Sequence, residues 1–316
     1  MVDQVSSARN ASSGAPVRQT SAWSRFWQND APGYLFLLPW LVGFLGLTIG
    51  PMLTSAYLSF TDFDLLTSPD WVGADNYIRM FSNDPKFWTS MRVTMFFVIF
   101  SVPLKLCFAL AVAMLLNRGI RGLPMYRALF YLPSLLGASV AIAILWRQIF
   151  AGDGLVNQVL AMIGIAGPSW ISNPKTSLWT LIILSIWQFG SPMIIFLAGL
   201  RQIPTDMYEA ASLDGASKWR QFVKITLPLL TPVVFFNAII QTIEAFKSFT
   251  PAFIISGGTG NPINSTLFYT LYLYQEAFAF FRMGYASALA WVLLALVGIF
   301  TAVSFLTSKY WVHYDE

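Results

Sequence analysis

Six apolar runs set the terms for everything else in this chain of 316 residues. A helix crosses the ~30 Å hydrocarbon layer in ~20 residues, because each residue rises ~1.5 Å. Residues 34–60, 93–116, 127–150, 178–200, 225–249 and 287–308 each meet that length. Such runs exclude a soluble fold, and composition agrees: 56% of the residues are hydrophobic and only 11% charged, with a mean hydropathy of +0.60. An ordinary soluble protein carries about 25% charged residues. The expected fold class is an all-α membrane protein with six transmembrane helices. Residues 1–33, rich in Ser, Ala and Arg, read as a mostly disordered tail, and 34–316 as the transmembrane domain. The first apolar run is too long for a signal-peptide core and has no clean cleavage pattern, so it reads as an uncleaved helix.

The formal charge of +4 is a matter of layout. Basic residues favour the cytoplasmic side of a membrane. The tail, residues 117–127, residues 201–224 and the C-terminal segment carry eleven of them, among them Arg118, Arg121, Arg127, Arg201, Lys218, Arg220, Lys224 and Lys309. The alternate loops carry only Arg79, Lys86, Lys175 and Arg282, together with seven acids. Both termini are therefore expected in the cytoplasm. The basic excess is a topology signal, and nucleic acid is not an expected partner.

Chemistry that depends on His or Cys has almost nothing to work with. Cys107 is the single cysteine and lies in an apolar run, while the single histidine, His313, is the fourth residue from the end. No disulfide, zinc site or Ser-His-Asp triad can be assembled from them. The chain also lacks a Gly-x-x-x-x-Gly-Lys-Ser/Thr phosphate loop and a His-Glu-x-x-His pair. No catalytic residue, metal ligand or cofactor is expected in this chain.

The segment RQIPTDMYEAASLDGASKWRQFVKITLPLLTP, residues 201–232, is too patterned for a simple connector. Pro204 ends what precedes it, and Asp206 with Glu209 forms a candidate capping box for a short helix. Ala210 and Ala211 favour its continuation, Gly215 can close it in a left-handed conformation, and Ser217 can cap a second helix running toward Leu227 and Pro228. The result is a small charged elbow at about 204–228. The plain alternative is an amphipathic interfacial segment that only turns the chain.

Glu209, Ala210, Ala211, Asp214, Gly215, Ala216, Phe222, Ile225, Leu227 and Pro228 resemble, at fixed spacing, the EAA loop of permease subunits of binding-protein-dependent ABC importers. Residues 127–150 and 255–290 are similar to the carbohydrate branch of that family, the maltose, glycerol-phosphate and oligosaccharide permeases. The resemblance implies a type I ABC importer permease fold in a bacterial cytoplasmic (inner) membrane, with Glu209 to Ala216 as a coupling helix. It implies as partners a second homologous permease subunit, two cytoplasmic ATPase subunits that bind ATP-Mg, an extracytoplasmic solute-binding protein and a sugar. The binding protein is expected to dock near Gly257, Gly258 and residues 261–266. A different class, an ATP-independent channel or ion-coupled transporter, would need an ion or proton relay in the spans, where Glu244 is the only acid.

Asn237, Gln241, Glu244 and Ser248 form one stripe on the fifth span, being spaced by four, three and four. A carboxylate in a bilayer usually faces a bundle interior or a water-filled cavity, which makes Glu244 a candidate for lining the solute path. Lys247 and Lys105 are its possible neutralising partners, and helix packing or contact with a second subunit is the competing role. Trp187 and Gln188 suit sugar recognition, by ring stacking and by amide hydrogen bonds. Trp and Tyr also gather at membrane interfaces for purely structural reasons. Pro39, Pro51, Pro103, Pro133 and Pro192 are expected to kink their spans or mark their ends.

Overall fold

The computed structural model describes residues 31–119, 122–137 and 139–313. The tail expected over 1–33 lies almost wholly outside the described residues, as does Arg121. The chain divides into two units, Met1–Thr54 and Ser55–Glu316. The first holds α1 (Ala31–Phe44), a π turn (Leu45–Ile49) and the start of α2 (Gly50–Leu58). No side chain described between 34 and 54 is buried, and Trp40 stacks on Phe44 at 5.1 Å. The π turn has a local cause. Pro51 has no N–H to give Leu47, and the Gly50 N–H reaches back five residues to the Leu45 carbonyl.

In the second unit a two-residue hairpin, β1 (Thr61–Asp62) with β2 (Asp70–Trp71), precedes α3 (Asp75–Ser82). Asp64 shapes the hairpin loop by accepting from the Leu66 and Thr67 backbones and the Thr67 hydroxyl. Those bonds, led by the Thr67 backbone, hold its carboxyl below the usual range. Next come α4 (Pro85–Leu116), α5 (Leu123–Leu136), α6 (Val140–Ile149), α7 (Leu155–Met162), α8 (Ser177–Trp187), α9 (Gly190–Leu200), α10 (Thr205–Leu213) and α11 (Lys218–Gln221). A π turn (Phe222–Thr226) leads into α12 (Leu227–Phe246), followed by α13 (Thr250–Ser256), α14 (Tyr269–Tyr274), another π turn (Gln275–Ala279) and α15 (Met283–Ser308).

Among the described residues four helices are long and apolar enough to cross a membrane: Tyr34–Leu58, Pro85–Leu116, Lys218–Ser256 and Met283–Ser308. The third and fourth expected spans qualify only as bent pairs, α5 with α6 and α8 with α9. The second pair bends by 43°. Six spans are thus present if each pair counts as one, but two are broken near their middles. Gly137 closes α5 and Ser139 caps α6 by accepting from the Ile142 N–H.

Helix α4 is the centre of the unit. Phe87, Ser90, Thr94, Phe97, Val98, Ser101, Val102, Leu106, Ala109, Ala113 and Leu116 are buried along it, at the three- and four-residue steps of a wide helical face. It packs against α8, α9, α12 and α14. Small residues at Ser90, Ser101, Ala109 and Ala113 admit close neighbours, as packing between membrane helices requires.

Asp84 anchors the start of α4. One carboxylate oxygen accepts from the Lys86 and Phe87 backbone N–H groups at 2.9 and 3.1 Å, capping the helix. The other accepts from the phenols of Tyr272 and Tyr285, both almost fully buried. One side chain thereby fastens α4, α14 and α15. Burial first, and then the bond to Asp84, pushes the Tyr272 phenol up, so it remains a neutral donor. The Arg79 guanidinium lies over the Tyr285 ring at 4.7 Å. Asp84→Ala removes a helix cap and leaves two buried hydroxyls without their acceptor, which should cost about 3 kcal/mol. Thermal unfolding of the detergent-purified protein checks this: a melting temperature equal to wild type contradicts it, and Asp84→Asn should lose clearly less.

Candidate functional site

The elbow forms where expected, with a different start. Helix α10 begins at Thr205 after Pro204, whose backbone is extended and whose side chain has no cap to offer. The expected Asp206–Glu209 capping box is therefore absent. Asp206 sits one residue inside the helix, where its charge meets the positive end of the helix dipole instead. The far end follows expectation closely. Gly215 has a φ of +76°, the Gly215 N–H donates to the Ser212 carbonyl at 3.1 Å, and the Ala216 N–H donates to the Ala211 carbonyl at 2.9 Å. These two bonds close the helix as a Schellman motif. Ser217 then caps α11 by accepting from the Arg220 N–H.

Three side chains that sequence reasoning passed over hold the elbow rigid. Gln221 is buried, and its amide donates to the Ser212 hydroxyl at 2.8 Å and to the Ala216 carbonyl at 3.2 Å. Tyr208 and Thr226 share a hydrogen bond of 2.9 Å. The only available signal was helical spacing, since Tyr208 and Ser212 are four apart and face the second helix together. Glu209, Ala210, Asp214 and Gly215 are exposed, and Ala211 and Ala216 half-buried. Leu213 is 90% exposed and Trp219 72% exposed, so the elbow presents apolar side chains among its charges.

The elbow lies at the C-terminal end of α4, where Asn117, Arg118, Tyr208, Lys218, Gln221 and Thr226 line one cleft. The C-terminal segment comes to the same end. The His313 N–H donates to the Thr231 hydroxyl at 2.9 Å, and Val312 is buried with Phe235 and Ile239. Thr231 also donates to the Pro228 carbonyl at 2.7 Å, which Pro232 leaves without its usual helix partner.

Farther along the helices is a cavity of about 220 Å³ between α4, α8, α12 and α13, touched by Gly137. Three predicted residues, Gln188, Gln241 and Glu244, line it together with Ser248. Asn237 lies one turn away, fully buried, and neither atom of its amide has a hydrogen-bond partner among the described residues. Trp187 does not line the cavity. Its ring packs against Trp146 at 5.9 Å, because consecutive residues on α8 point in different directions. Glu244 and Lys247 form an ion pair of 2.9 Å, each side chain more than half exposed. Lys105, half-buried on α4, lines the same cavity without an ion-pair partner among the described residues.

The two broken spans are stitched together beside this cavity. Pro192 has no N–H, so the Gln188 carbonyl loses its helical partner, and the Ser134 hydroxyl donates to that carbonyl at 2.9 Å. The same Ser134 oxygen accepts from the Ser191 N–H at 2.9 Å. The Gln188 amide donates to the Gly137 carbonyl at 3.1 Å, and a Cβ at residue 137 would fall 2.3 Å from the Gln188 side chain. Both breaks therefore close on each other, and Gln188 is fixed at the cavity wall.

A polar, partly charged cavity between apolar spans, with an exposed elbow at one end, is the construction of a membrane permease. Residues 35–310 match the family of binding-protein-dependent transport system inner membrane components, and the chain belongs to it. It is 54% identical to the probable ABC transporter permease protein YesP of Bacillus subtilis (strain 168), over 92% of this chain and 94% of the relative. It is 33% identical to the lactose transport system permease protein LacF of Rhizobium radiobacter, over 89% of this chain and 95% of that one. The fold matches a chain of a bacterial alginate ABC transporter crystallised with its alginate pentasaccharide-bound periplasmic protein, with a TM-score of 0.77 at 20% identity, covering 91% of this chain and 97% of the other.

Ser134→Ala leaves the Gln188 carbonyl and the Ser191 N–H unpaired in the broken spans, which should lower stability by about 1–3 kcal/mol. Thermal unfolding of the purified protein reads this directly, and an unshifted melting temperature would mean that another group satisfies the Gln188 carbonyl.

Proposed function

We propose that this chain is a transmembrane subunit of an ATP-driven importer that carries a sugar or sugar derivative across a bacterial cytoplasmic membrane by alternating access. The observation that carries the coupling reading is the elbow, a helix closed at Gly215, braced by Gln221 and Tyr208, and exposing Glu209, Asp214, Leu213 and Trp219. Its small residues Ala210, Ala211, Gly215 and Ala216 suit a helix seated in the groove of a partner, and its carboxylates suit cationic groups there. The partner in this reading is a cytoplasmic ATPase, one of two, which binds ATP-Mg; this chain contributes no catalytic residue. A second, similar permease completes the solute path, and an extracytoplasmic binding protein delivers the sugar near Gly257, Gly258 and residues 261–266, where the chain folds back between α13 and α14.

Two further observations support the reading. Arg118, Lys218 and the C-terminal segment gather at the elbow end, in line with a cytoplasmic location for that end and for the C-terminus. The carbohydrate class rests on the relatives, such as the lactose permease, and on Gln188, Gln241 and Glu244, whose amides and carboxylate suit hydroxyl groups.

Gly215 is the sharpest point of attack. Proline cannot take its positive φ and lacks the N–H bonded to Ser212. In the assembled transporter, Gly215→Pro should keep an ATPase that copurifies while uptake falls at least tenfold. Normal uptake by Gly215→Pro overturns the coupling role, and wild-type protein that brings down no ATPase overturns the importer reading itself.

A further inference from the structure

We infer that the cavity in this subunit is built for a saccharide bearing an anionic group, with Lys105 as the residue that receives the charge. The inference rests on the reading of the chain as a sugar permease and names the kind of sugar. Three charged side chains line the cavity: Lys105, Glu244 and Lys247. Glu244 pairs with Lys247 across 2.9 Å, as neighbours one turn apart tend to do, and its charge also reaches Lys105 at longer range. Lys105 comes from a different helix, has no carboxylate within ion-pairing distance among the described residues, and makes no hydrogen bond among them. The cavity therefore carries two ammonium groups against one carboxylate.

Depth makes the unpaired ammonium informative. Lys105 is eleven residues before the end of α4 at Leu116, or about 16 Å along the helix axis, so it sits well within the spanning length. An ammonium at that depth is costly unless it meets water or an anion, and a lysine so placed usually marks a substrate or ion path. Gln241, buried on the facing helix, also lines the cavity with no hydrogen bond among the described residues, and the side-chain oxygen Oε1 of Gln188 has no partner among them once its Nε2 is tied to Gly137. Amide groups that accept and donate to hydroxyls, beside an unpaired cation, fit a sugar ring whose substituent is a carboxylate or a phosphate.

The test uses the complete importer, purified through a tag on this chain with its copurifying subunits and binding protein, in proteoliposomes. Uptake is compared for a uronic-acid disaccharide, its carboxyl-reduced neutral counterpart, and the 6-phosphate of that neutral sugar. Wild type should prefer at least one of the anionic sugars over the neutral one by tenfold or more. Lys105→Met should cut that preference at least tenfold, and Lys105→Arg should retain most of it. Which anionic sugar loses more in Lys105→Met identifies the carboxylate or the phosphate as the natural group. A neutral preference in wild type, or a Lys105→Met ratio equal to wild type, overturns the inference while leaving a sugar permease intact. A merely structural role for Lys105 would lower all three uptakes together, leave the ratio unmoved, and overturn it equally. Should none of the three sugars enter while the ATPase copurifies, the carbohydrate reading fails and this inference with it.

Discussion

Within a bilayer no water is at hand to satisfy a polar group, so each break in a spanning helix has to be mended by protein. Helices α5 with α6 and α8 with α9 depend on one such repair. Pro192 strips the Gln188 carbonyl of its partner, and the Ser134 hydroxyl serves that carbonyl and the Ser191 N–H at once. The repair draws the two breaks together and leaves the Gln188 side chain no freedom except toward Gly137 and the cavity. The position of a polar wall residue thus follows from a proline four residues away. Elsewhere the same need is met by Thr231 at Pro232 and by π turns ahead of Pro51 and Pro228.

Much of the architecture was legible because hydrocarbon thickness sets a length and apolar residues report it. The six runs were found, and their prolines marked them as candidates for kinking. The actual places of breakage were not legible, since a proline identifies an orphan carbonyl but not the side chain that will meet it. Ser134 and Gln188 are 54 residues apart, and only the fold pairs them. The elbow was read well at Gly215 and Ser217, where one residue's backbone preference decides the outcome. It was read wrongly at Asp206, because Pro204 can itself take the extended cap geometry and starts the helix two residues early.

The candidate solute path divides along the same line. Periodicity gathered Gln241, Glu244 and Ser248 on one face of α12 and its continuation, and they do share a cavity. Periodicity could not tell which of Trp187 and Gln188 would face it, and the tryptophan turned to Trp146. Nor could it bring Lys105 from a different helix to the opposite wall; charge alone made it a possible partner for Glu244, whereas Lys247 makes the pair.

The helix from Lys218 to Ser256 begins at the elbow and carries Glu244 and Lys247 near its other end. From Lys218 to Glu244 the axis is about 39 Å long at ~1.5 Å per residue. Helix α10 is braced against its base by Tyr208 and Gln221, which tie the elbow to that base. In the proposed coupling reading the helix serves as a lever, with its short arm at the elbow and its long arm along the spans. A tilt of about 5° at the base carries the cavity wall through about 3 Å, on the order of one hydrogen-bond length. In the proposed coupling reading, a rotation small enough to leave every helix intact is large enough to make or release a hydrogen bond at the cavity wall.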